Sequence, residues 1–287
     1  MNNPIKIALT GAGGFIGQYV VSELLDRNVS VTVVGRDVSK LVQYEGRAQI
    51  VQLDLKNASE GVFKDLNSPD ILLHLAWNGL PNYRALYHYE EELACQYKFL
   101  KIMIEEGLNN LLVTGTCFEY GMQSGALAES LDTCPDNPYG FAKDTLRKQL
   151  MFLKQSLAFN ITWARLFYMY GEGQSSNSLL SQLQRAVVTG DKAFSMSGGE
   201  QLRDYLPVTE VARLLVELAM SQKDCGVINI CSGKPSSVRG VVEQWLEKNQ
   251  WQIELNLGCY PYPNYEPMAF WGDRVKLDEF INNQGVV

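Results

Sequence analysis

Histidine is nearly absent from this chain: its 287 residues include only two, His74 and His88. A metal centre built on histidine is therefore not expected. The six cysteines (Cys95, Cys117, Cys134, Cys225, Cys231 and Cys259) are scattered, with no C-x-x-C pair. That pattern fits reduced thiols in a cytoplasmic protein. Positive charge is also short. Lys and Arg number 25 against 32 Asp and Glu, a formal net charge of −7, with a pI near 5.0. Neither a nucleic acid nor an anionic membrane is an expected partner for such a surface. No apolar run reaches the roughly 18 residues of a membrane span. The opening MNNP leads straight into an apolar run and leaves no room for a signal peptide. Internal repeats and low-complexity linkers are missing as well, so one large domain, or one domain with a smaller lobe, is expected.

What is present is concentrated first at Ile5 to Leu25, IKIALTGAGGFIGQYVVSELL. Ile5 to Leu9 is short and apolar enough for a buried parallel strand. Thr10, Gly11, Ala12, Gly13 and Gly14 break it. Ile16, Val20 and Leu24 then recur at helical spacing, with Val21 and Leu25 beside them. Strand, glycine loop and helix form the cradle a dinucleotide pyrophosphate needs. The glycines allow close backbone approach, and the helix start offers free N–H groups. A second strand, Val29 to Val34, ends in Gly35, Arg36 and Asp37, with Lys40 following. Arg36 at this place suits the 2′-phosphate of NADP(H), the favoured cofactor. The alternative is NAD, with Asp37 on the ribose and Arg36 a solvated loop residue.

Ile50 to Leu53 is a third strand, followed by Asp54-Leu55, where the acid either meets the adenine or caps a helix. Ile71 to Leu75 is a fourth, running into Ala76, Trp77, Asn78 and Gly79, with His74 packed inside it. A long helix is expected over Tyr83 to Glu106, closed by Gly107. Its stripe Leu93, Tyr97, Leu100 and Ile104 marks core or subunit interface. Asn110 to Val113 is a fifth strand, and Ile161 to Phe167 a sixth. Five or six strands alternating with helices predict a doubly wound α/β parallel sheet. From Tyr168 the character changes to polar loops, short helices and an aromatic, proline-rich stretch from Tyr260 to Trp271. The expected division is 1–167 plus roughly 203–222 for the dinucleotide domain. Residues 168–202 and 223–287 would form a smaller interleaved lobe.

Asn137-Pro138 starts a helix, asparagine as cap and proline in the first turn. That helix carries Tyr139 and Lys143, four apart and so on one face. A nearby ammonium would pull a phenol down from its usual pKa near 10 into the working range for proton transfer. Thr116, at the end of the fifth strand, would hold a substrate oxygen beside the tyrosine. The set suits hydride transfer at a carbonyl or carbinol, with Tyr139 handling the proton.

The chain resembles the extended short-chain dehydrogenase/reductases that act on nucleotide sugars. The resemblance rests on TGAGGFIG at 10–17, DL at 54–55, HLAW at 74–77 and TGTCFEYG at 114–121. It continues through PYGFAK at 138–143, RLFYMYGEG at 165–173 and RDYLPV at 203–208. It implies Thr116, Tyr139 and Lys143 as the catalytic set. It implies cofactor contacts from Gly11, Gly14, Phe15, Ile16, Gly17, Arg36, Asp54, Leu55, Leu75, Ala76, Tyr139 and Lys143. On the substrate side it implies Trp77, Tyr83, Thr116, Phe118, Tyr168, Asn177 and Arg203, the last near a diphosphate unless it pairs with a carboxylate instead. Where similar chains carry an arginine for that diphosphate, Tyr265 stands near the place.

Absences then narrow the chemistry. Sugar-nucleotide dehydratases similar to this chain carry Asp-Glu directly after the position of Thr116; here those places hold Cys117 and Phe118. Glu119 is one place late, so its side chain is expected to face the other way. Bifunctional epimerase-reductases carry a cysteine where Phe118 stands, so 3,5-epimerisation is not expected and Cys117 is a packing residue. Two chemistries remain. The favoured one is NADPH-dependent reduction of a nucleotide-linked 4-keto-6-deoxyhexose. The alternative is a 4-epimerase holding NAD tightly. A non-catalytic cofactor-sensing protein on the same fold is the third reading, and the intact Tyr139/Lys143 pair argues against it. The resemblance further implies a homodimer built on the helices from Tyr83 and Pro138, and a setting in bacterial surface-polysaccharide synthesis.

Overall fold

A computed structural model describes residues 4–262, 264 and 266–283. Its centre is a seven-stranded, wholly parallel sheet made of β1 (Ile5–Thr10), β2 (Val29–Gly35), β3 (Gln49–Gln52), β4 (Ile71–His74), β5 (Asn110–Thr116), β6 (Asn160–Leu166) and β7 (Gly226–Ile230), in the order β7-β6-β5-β4-β1-β2-β3. The order reverses between β4 and β1. Such a switch point opens a crevice at the carboxyl ends of the strands.

Neighbouring residues of the inner strands face opposite layers, which is why these strands are apolar throughout. Ile7 and Leu9 of β1 and Leu73 of β4 join one core with Val20, Val21 and Leu24 of α1 (Phe15–Leu25). Ala8 and Leu72 face the opposite core. There they meet Phe99, Leu100 and Met103 of α2 (Leu93–Glu105) and Leu146 and Leu150 of α3 (Pro138–Lys154). A smaller core joins Leu183 and Ala186 of α4 (Leu179–Thr189) to Val241, Val242 and Trp245 of α6 (Val238–Asn249). Between them in sequence, α5 (Val208–Met220) adds Leu214, Leu215 and Leu218 to the α1 side of the main sheet. No helix among the described residues is long and apolar enough to cross a membrane.

Three expectations need correction. The strand Gly226–Ile230, assigned by sequence to the smaller lobe, is the edge of the main sheet, paired in parallel with β6. The last helix, α7 (Val275–Asn283), packs on it and places Leu277 in the main core. The expected helix from Tyr83 begins late: a π-turn spans His88–Glu92 and α2 starts at Leu93. Residues before it are pinned elsewhere, since the Tyr83 carbonyl accepts from the Tyr139 N–H at 3.1 Å, across to the start of α3. The stripe on that helix is also shifted: Leu93, Leu100 and Ile104 are buried with Gln96, Phe99 and Met103, while Tyr97 is only half-buried.

Candidate active site

At the switch point the glycine loop leaves no room for side chains. Gly11 has φ +80°, and a Cβ there would sit 2.8 Å from the Ala76 nitrogen, on the neighbouring strand's exit. A Cβ on Gly17 would lie 2.1 Å from the Gly11 carbonyl oxygen. Gly14 caps α1 with no side-chain hydrogen bond, and no acidic residue stands in the helix's first turn. The first amides of α1, from Phe15 and Ile16 onward, are thus left to an outside anion, and the helix dipole favours one. These features fit a dinucleotide pyrophosphate.

At the end of β2, Arg36 is exposed, and among the described residues its guanidinium has no ion-pair or hydrogen-bond partner. Asp37 turns inward on its own loop. It accepts from the Ser39 N–H at 3.1 Å and hydroxyl at 2.6 Å, and these bonds hold its carboxyl below the usual range. Half-buried Asp54 caps the turn Leu55–Asn57 by accepting from the Lys56 N–H at 3.1 Å, so the capping role is realised. His74 is packed as expected, its Nδ1 2.9 Å from the Thr10 hydroxyl, and burial pulls its pKa from 6.5 to about 3.

The carboxyl end of β5 and the first turn of α3 meet beside this loop. Asn137 caps α3 by accepting from the Gly140 N–H at 2.9 Å, with Pro138 in the first turn, which fixes where Tyr139 and Lys143 point. Gly140 itself is required: a Cβ would come within 2.7 Å of the Phe118 carbonyl oxygen. Around the Tyr139 ring stand His88, Tyr83, Trp77 and Phe118, at centroid distances of 5.3, 5.5, 5.9 and 6.5 Å. Lys143 is 1% exposed; its Nζ donates to the Thr114 carbonyl at 2.8 Å and lies 4.1 Å from the centroid of the Trp77 ring.

Burial sets the electrostatics here. It pulls the Lys143 ammonium down from 10.5 to about 7, against the opposing pull of the Glu119 and Glu92 carboxylates. Burial also pushes the Tyr139 phenol up; Tyr83, Glu119 and Cys117 add to the rise, and a hydrogen bond with Thr116 opposes it. The expected lowering of the phenol by the lysine is not found; burial raises the phenol instead. The phenol holds its proton at rest, the state from which it can donate one.

Other expected residues fall into a second cluster. Arg203, 3% exposed, donates to Glu266 at 2.9 Å and to the Leu202 and Met268 carbonyls at 2.8 and 3.3 Å. The hydroxyl of Tyr168 donates to the other Glu266 oxygen at 2.7 Å. Of the two readings left open for Arg203, the carboxylate pair is the one present, and its charge is already answered. Asn177 lies exposed on the turn before α4. Tyr265 lies outside the described residues.

Glu119 points into the core, not toward Tyr139, as expected from its late place, although the segment is a tight turn (Cys117–Tyr120) and not extended chain. Cys117 is buried and its thiol is pushed up by burial, in keeping with a packing residue. Sequence reasoning missed His88, whose Nδ1 accepts from Trp77 Nε1 at 3.1 Å and whose Nε2 therefore donates to the Asn82 carbonyl at 2.8 Å. It also missed Glu92, which accepts from the Asn78 amide nitrogens at 2.9 and 3.1 Å and from the Tyr87 hydroxyl at 2.7 Å, holding the strand exit that carries Trp77. No local pattern marked either residue, because the partners that tie them to the site, Trp77 and Asn78, lie on the exit of β4.

Residues 7–231 match the model of the NAD dependent epimerase/dehydratase family. The chain belongs to that family. It is 32% identical over 270 residues, 93% of this chain and 99% of the relative, to the dTDP-6-deoxy-L-talose 4-dehydrogenase (NAD(+)) of Aggregatibacter actinomycetemcomitans. Its fold is similar to that of a UDP-N-acetylglucosamine 4-epimerase from Methanobrevibacter ruminantium M1, at TM-score 0.86 and 23% identity over 98% of this chain and 92% of the other. It is similar also to MoeE5 in complex with UDP-glucose and NAD, at TM-score 0.79 and 26% identity over 95% and 91% of the two chains. As a member of this family, the chain is an enzyme of the short-chain dehydrogenase/reductase type that works on a sugar nucleotide with a nicotinamide cofactor.

Proposed function

We propose that this enzyme interconverts the 4-keto and 4-hydroxy forms of a nucleotide-linked 6-deoxyhexose, physiologically as a 4-ketoreductase using NADPH. The observation that carries the proposal is a single buried phenol, Tyr139, which its surroundings keep protonated and which we read as the acid–base group of the site. Tyr139 is hydrogen-bonded to Thr116 and lies one helical turn before Lys143, while Glu119 is turned into the core and Cys117 is closed off. Loss of water or a shift at C3 and C5 needs a second acid–base pair; a single hydride and proton at C4 needs only the phenol. The relative named as a 6-deoxytalose 4-dehydrogenase supports the same chemistry in the opposite direction.

The cofactor would lie on the Gly11–Gly17 loop, with Arg36 facing the 2′-phosphate and Leu75 and Ala76 under the nicotinamide end. When bound it supplies or accepts the hydride. Thr116 and Tyr139 hold the sugar oxygen. As the hydroxyl forms, Tyr139 gives it a proton, and Lys143 offsets the charge left on the phenolate. Trp77, Tyr83 and Phe118 shield this exchange from water.

The enzyme is read as a cytoplasmic homodimer. Phe141 and Phe152, 49% and 70% exposed on α3 and eleven positions apart on one face, suit a helix-to-helix contact between subunits.

The deciding experiment titrates NADPH and NADH into the wild type and Arg36→Ala, and assays Tyr139→Phe. Tight NADPH binding lost with Arg36, and turnover lost with the Tyr139 hydroxyl while cofactor still binds, are the expected results. Equal affinities, or NAD already held by the purified protein, would favour the 4-epimerase. Full activity in Tyr139→Phe would overturn both.

A further inference from the structure

Glu119 is wholly buried, yet its carboxylate is completely engaged. Oε1 accepts from the Thr116 N–H at 2.9 Å and from Trp163 Nε1 at 2.9 Å. Oε2 accepts from Arg165 Nε at 2.7 Å and from the same indole at 3.1 Å, and Arg147 Nε lies 3.9 Å away. The Thr116 hydroxyl in turn accepts from the Phe118 N–H at 3.3 Å, so acid and threonine cap the turn between them reciprocally. Gly115 makes this possible. A Cβ there would lie 2.2 Å from Trp163 Nε1 and 2.5 Å from Glu119 Oε1. The bare strand end is what admits indole and carboxylate beneath Thr116.

We propose that Glu119 is a positioning residue: anchored on β6 through Trp163 and Arg165, it fixes the Thr116 backbone and hence the hydroxyl beside Tyr139. The inference rests on the reductase reading of Thr116 and Tyr139. Its physical basis is that a buried ion pair contributes little net stability but enforces one geometry through charge-assisted bonds. An error of about 1 Å in a site of this kind costs about 100-fold in rate. The anchor is also indifferent to substrate and cofactor, since it lies on the core side of the turn. It should therefore act on turnover and not on binding.

Glu119→Gln offers one carbonyl oxygen where two carboxylate oxygens are used, so either Arg165 or the Thr116 N–H loses its acceptor. Trp163→Phe removes one anchor and leaves the ion pair, which protects the test against simple misfolding. Each is made in the full chain, alone and with Thr116→Ala. Oxidation of dTDP-6-deoxy-L-talose is followed, together with hydrogen exchange of the Thr116 amide in the absence of substrate. The expected result is a kcat lowered about 10- to 100-fold by Glu119→Gln, and less by Trp163→Phe, with KM and cofactor affinity within about twofold. That loss should vanish in the Thr116→Ala background. Exchange at Thr116 should accelerate at least about tenfold while the amides of Leu111 to Val113 keep their protection. Unchanged kcat and exchange, or an equal loss without the Thr116 hydroxyl, would overturn the role. If the wild type turns over no sugar nucleotide, the proposed function fails, and Thr116 exchange still decides for or against Glu119.

Discussion

Replacing Lys143 with methionine separates what this lysine does for the reaction from what it costs the fold. Methionine keeps an unbranched stem of similar reach and removes the charge. In the native protein burial holds the ammonium at about 7, against 10.5 in the unfolded chain. Between those two values the unfolded chain carries a proton that the native one does not, so stability rises with pH across that window. Below about pH 7 both states are protonated and the full cost of a buried ammonium is present. Each pH unit of the gap corresponds to about 1.36 kcal/mol, so the total is at most about 5 kcal/mol. The contact with Thr114 and the face of Trp77 already enter that native value. The stability of Lys143→Met relative to wild type should therefore be greater at about pH 6 than at about pH 10, by about 3–5 kcal/mol. Guanidinium unfolding of the cofactor-free proteins, followed by tryptophan fluorescence at the two pH values, measures this difference. Turnover should be lost in the variant at either pH. The same stability difference at both pH values would refute the reasoning. So would a wild type that gains on Lys143→Met toward acid: the first result would mean a solvated lysine, the second an ammonium stabilised by a partner.

Gly17→Ala places a Cβ against the Gly11 carbonyl and should abolish cofactor binding by calorimetry, with a stability loss of about 2 kcal/mol or more. Glu266→Ala strips Arg203 of its carboxylate and should cost about 3 kcal/mol in thermal or chemical denaturation. A marked gain in dTDP affinity in that variant would instead make Arg203 a diphosphate ligand held in reserve. His74 is buried neutral with its pKa near 3, so protons favour the unfolded chain from its ordinary 6.5 downward. Stability should fall as pH drops through that window, and His74→Asn should flatten the decline.

Local signals were enough for the parts of the site that one segment builds by itself. The strand, glycine turn and helix of Ile5 to Leu25 are set by apolar spacing and by the sterics of glycine. The register of Tyr139 and Lys143 follows from the Asn137 cap, Pro138 and the helical repeat. Glu119 does face away from Tyr139, but the extended-chain alternation from which that was expected is not what turns it; a tight turn capped by Thr116 and Glu119 does. What the tertiary structure alone decided lies between distant segments. Glu119 finds Trp163 and Arg165 at separations of 44 and 46 residues, and Arg203 finds Glu266 across 63. The edge strand Gly226–Ile230 belongs to the main sheet because β6 is there to pair with it, not because of its composition. The lysine's proton affinity follows the same logic. Two residues four apart on a helix imply a Tyr–Lys pair, but desolvation is a property of everything packed around them, and here it moves the lysine down and the phenol up.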